Sequence, residues 1–85
     1  MAKSSRVMNK AILEVVDNQI RDGNPPAAKE TFDRLIGEGI ERDEARRLIA
    51  YVVASEIFEI LKHLKPYDED RYVKLLRNLP QLPEG

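Results

Sequence analysis

The sequence predicts an all-α fold: a small four-helix domain with a long, apolar central third helix. Three observations carry this expectation. The only hydrophobic periodicity along the 85 residues is helical, with apolar residues returning every three or four positions. Breakers at Gly23-Asn24-Pro25-Pro26, at Gly37 and Gly39, and at Pro66 cut the chain into four segments of ordinary helix length. No alternating strand pattern, internal repeat or low-complexity stretch competes, so residues 1–85 read as one helical domain.

The first helix is expected over about residues 4–22. Val7, Met8, Ala11, Ile12, Val15, Val16 and Ile20 form two adjacent rows, a wide apolar stripe on one face. Ser4 or Ser5 is the expected cap. Asp22-Gly23 is the expected stop, because glycine enters the left-handed conformation at low cost.

The second helix is expected over 25–38. Asn24 suits the N-cap, and Pro25 suits the first helical position, where no N–H is needed. Ala28, Phe32, Leu35 and Ile36 would face inward. Gly37 and Gly39 end the helix, with Ile40 placed to fold back as the apolar partner of a Schellman-type stop.

The third helix is expected over 42–64. Between Leu48 and Leu61 only Ser55, Glu56 and Glu59 are polar. Such a helix is expected to be covered on more than one side, by the other helices or by a second copy of the chain. Pro66 breaks it. A fourth helix over 69–78 should be capped by Asp68, with Tyr67 stapled to Tyr72 and Glu69 and Asp70 at the positive helix end. Tyr72, Leu75, Leu76 and Leu79 form its inner face, and 79–85 is expected to be a loose tail.

Composition excludes several classes of function. The chain has no Cys, hence no disulfide framework and no thiolate zinc site. Its longest uncharged run, Leu48 to Ser55, is far too short for a membrane span. Residues 1–10 contain no signal-peptide core, so the expected setting is soluble and cytoplasmic. Fourteen Lys and Arg against fifteen Asp and Glu leave a net charge of −1, too little field to gather nucleic acid or anionic lipid.

The polar candidates are few. His63 is the sole histidine; Glu59 precedes it by one turn and Glu56 by two. A catalytic or structural metal needs at least three converging ligands, normally from more than one element. Glu14/Asp17, Glu41/Glu44 and Glu56/Glu59 sit three apart, a spacing by which helical pyrophosphohydrolases hold magnesium through oxygen ligands. In a chain that is 34% charged, solvated helix faces explain these pairs better. Gln19 falls inside the apolar stripe. A buried amide needs partners, and the backbone of the Asn24-Pro25 corner is the expected one. Arg42, Arg46 and Arg47 cluster, with Arg21 and Arg34 in reach, but acids interleave with them. No Gly-rich phosphate loop, Gly-x-Ser-x-Gly elbow or Cys/His nucleophile pair is present.

Val15-Val16-Asp17-Asn18-Gln19, Gly23-Asn24-Pro25-Pro26, Thr31-Phe32-Asp33-Arg34-Leu35, Glu38-Gly39, Glu44-Ala45-Arg46 and Leu48-Ile49-Ala50 together resemble a family of small bacterial all-helical domains of unknown function. The resemblance covers about residues 9–65. It implies an all-α fold and a bacterial origin, and no activity. Many members of that family carry histidines at the positions of Leu13, Asp43 and Arg46. Any metal or reaction those histidines serve is not expected of this chain.

The leading expectation is a non-enzymatic interaction or structural module, homodimeric through the Tyr51/Phe58 side of the third helix, with no cofactor, metal or catalytic residue. The alternative is a metal- or nucleotide-dependent helical hydrolase drawing on Glu56, Glu59, His63 or Glu14. A weak nucleic-acid-binding module comes third.

Overall fold

A computed structural model describes the backbone of residues 2–83 and the side chains of residues 9–83. Four helices succeed one another: α1 (Ala2–Asp22), α2 (Pro26–Gly37), α3 (Arg42–His63) and α4 (Glu69–Asn78). No strand occurs among the described residues, and no helix there is long and apolar enough to cross a membrane. The fold is the expected small all-α domain.

The turns are set by local chemistry. Gly23, with φ of +62°, turns the chain out of α1, and the Asn24 N–H donates back to the Gln19 carbonyl. At the end of α2, the Ile40 N–H donates to Leu35 and the Gly39 N–H to Ile36, both at 3.0 Å. These are the two bonds of a Schellman motif, with Gly39 at φ +93° and Ile40 packed against the core. The Asp68 side chain accepts from the Arg71 N–H at 3.1 Å and caps α4. Tyr67 and Tyr72 meet with ring centroids 6.1 Å apart, closing the expected staple.

Some boundaries differ from expectation. α1 extends back to Ala2, so Ser4 and Ser5 lie within the helix and not at its start. The second helix is entered through Pro25, which is extended at φ −69° and ψ 153°, with Pro26 as its first residue. The reason is steric: the Pro26 ring pushes the residue before it out of the helical region. Asn24 is therefore one position too early to be the cap.

The core gathers Val16 of α1, Leu35 of α2, Ile49 and Val52 of α3, and Tyr72, Leu76 and Leu79 from the last helix and its exit. Leu79, counted in the expected tail, is thus a core residue; a turn bond from the Gln81 N–H to the Asn78 carbonyl comes just after it. Glu84 and Gly85 lie outside the described residues, as do the side chains of Val7 and Met8. Ala11, Val15 and Ile36 fall on expected inner faces yet are exposed, because no neighbouring helix covers those edges.

The third helix departs most from its description as an apolar centre. It packs against all three other helices, but so does α2. Only one side of α3 is covered, by way of Ala45, Ile49, Val52, Val53 and Glu56. Tyr51, Ile57, Phe58 and Leu61 face outward, with Phe58 58% and Leu61 70% exposed.

Candidate functional site

Two places bring the candidate side chains together. The first is a polar seam between α3 and α4. Glu56 sits one turn below Val52 on the covered side of α3 and is only 5% exposed; the expectation of a solvated carboxylate is wrong for it. Its Oε1 lies 3.0 Å from Arg71 Nε, yet that oxygen receives no aligned hydrogen bond. The guanidinium is close enough to attract but is not aimed at it. Burial holds the Glu56 carboxyl above the usual carboxylate range, against the downward pull of Arg71, and the charges of Asp68 and Glu59 add to the rise.

Glu59 is half-buried beside it. Its Oε2 is 3.8 Å from Arg71 Nη1 and 3.3 Å from His63 Nε2. Arg71 therefore stands between the two carboxylates, where a bound cation would have to sit. Among the described residues no three His, Asp or Glu side chains converge as a metal-ligand set. Glu14 is not part of this seam; it is exposed on α1 and lines another groove with Asp17 and Arg46.

Gln19 is half-buried at the edge of the same seam. Its expected partner was the backbone at the Asn24 corner. The observed one is a side chain: the Tyr72 hydroxyl donates to Gln19 Oε1 at 2.6 Å. Gln19, Glu56, Tyr67 and Tyr72, with Val53 and Ile60, surround a cavity of about 100 Å³. Burial keeps the Tyr72 phenol protonated well above its ordinary range. Nothing in the sequence near Gln19 names Tyr72, which is 53 residues away.

The arginines are engaged locally. Arg46 forks onto both oxygens of Asp17 at 2.8 and 2.9 Å and also reaches Asp43, tying α1 to α3. Arg34 pairs with Glu38 and donates to the Leu76 and Arg77 carbonyls, satisfying the open end of α4. Arg42 lies over the Phe32 ring, and Arg21 pairs with Asp22. Leu13 and Arg46 line one shallow groove with Asp17, and Asp43 bonds to Arg46. In this chain the place is a salt-bridge cluster.

The second place is apolar. Tyr51 and Phe58, with Ile57 and Leu61, border a groove of about 400 Å³ whose floor includes Ile12, Ala54 and Ser55 and whose far rim is Pro83. A second groove of about 490 Å³ runs along the other flank of Tyr51, between α1 and α3, past Leu13 and Arg47. Tyr51 is the ridge between them. The exit from α4 completes the first groove by laying Pro83 against it, a contribution not foreseen for a segment expected to be loose.

Comparison with protein-family models, with curated proteins and with solved structures returns no match for this chain.

Proposed function

We propose that this protein is a non-enzymatic helical interaction module of the cytoplasm, working through the outward face of α3. The observation that carries this reading is the continuous apolar surface of Tyr51, Ile57, Phe58 and Leu61, 37% to 70% exposed around one groove. Single exposed apolar residues are ordinary; a contiguous patch that borders a groove marks a contact surface. The polar seam supports the same reading from the other side. Its two carboxylates flank Arg71 and its amide accepts from Tyr72, so the place between the carboxylates is taken by the protein's own guanidinium.

The test is a photo-crosslinking side chain placed at position 58 in cells that express the protein. A crosslinked product of defined mass is expected from position 58. None is expected from the same group at Glu30, which is exposed on α2. Uncrosslinked chain alone from both positions would sink the reading.

A further inference from the structure

We draw no further inference here: the strongest candidate, the exposed Tyr51, Phe58 and Leu61 face of α3, belongs to the association surface already proposed, and nothing in the structure shows what covers it.

Discussion

The Tyr72 hydroxyl and the Gln19 side-chain oxygen lie 2.6 Å apart, joining two helices that otherwise keep their distance. No Cα of α1 comes within 8 Å of one in α4 among the described residues. Tyr72 is 2% exposed, so its ring is core and its hydroxyl is the polar end of that core. Removing the hydroxyl leaves Gln19 without its donor, and removing the amide leaves a buried hydroxyl without its acceptor. Losing one partner costs more than losing both. Tyr72→Phe and Gln19→Leu should each destabilise by about 1–2 kcal/mol, lowering Tm by roughly 4–8 °C per kcal/mol for a domain of this size. The double variant should be more stable than the sum of the single losses predicts. Urea unfolding of all four proteins checks this, and strictly additive losses would refute the coupling.

Glu56 should make stability depend on pH in the opposite sense to an ordinary paired carboxylate. Its carboxyl is raised above the usual range, chiefly by burial. A group raised on folding prefers its proton in the folded state. Its contribution is therefore full below the unfolded-state value, about 4.3 for Glu, and is lost as pH rises through the folded-state value. Glu56→Gln keeps the shape and removes the charge. The variant should gain on the parent as pH rises from about 4 toward neutrality, with little further change above the folded-state value. Arg71→Met, which strips the nearest positive charge from the buried carboxylate, should cost more at neutral pH than at pH 4. Chemical unfolding at several pH values reads both trends. A parent that gains on Glu56→Gln with rising pH would show that the Arg71 contact outweighs burial.

Local chemistry decides the features that were legible in the sequence. Gly39 and Ile40 sit at the fixed offsets of a Schellman stop, and Asp68, Tyr67 and Tyr72 at those of a capped and stapled start, so both motifs could be placed from spacing alone. Neighbouring prolines were harder, because the ring of Pro26 overrides the preference of Pro25 for a first helical position. Tertiary partners were out of reach. A helical wheel puts Val15 and Val16 on one stripe, but only the packing of α2 and α3 buries Val16 and leaves Val15 41% exposed. The wheel flagged Gln19 as needing a partner and could not supply Tyr72. Glu56 was hidden by composition: one acid among fifteen gives no sign that its turn of helix faces inward.

The two glycines around the end of α2 should respond to alanine with opposite signs. Gly37 is the last residue of the helix and a methyl group there meets open space. Alanine adopts that backbone without strain and narrows the unfolded ensemble, so Gly37→Ala should stabilise by about 0.5 kcal/mol. Gly39 also faces open space, but its φ is +93°. An alanine there is strained whatever the room, and Gly39→Ala should destabilise by about 1 kcal/mol or more. Thermal melts of the two variants give the comparison directly. A stabilising Gly39→Ala would mean that α2 does not end in the Schellman turn.

Leu64 closes α3 in the left-handed region, at φ +53° and ψ 39°, where a side chain normally costs roughly 1–2 kcal/mol. Nothing offsets that cost locally, because the residue is 89% exposed. The conformation is imposed by the next two residues. Lys65 precedes Pro66 and is pushed toward extended backbone, so the chain must leave the helix within one residue. Glycine accepts the left-handed turn freely, and asparagine does so more readily than leucine. Leu64→Gly should therefore raise stability by about 0.5–1 kcal/mol after the greater freedom of glycine in the unfolded chain is subtracted. Leu64→Asn should gain less. Leu64→Val should lose, since a β-branched side chain tolerates this region worst. The order Gly above Asn above Leu above Val in urea midpoint is the expected result, and a parent more stable than Leu64→Gly would show that the exposed leucine makes a stabilising contact at the end of α3.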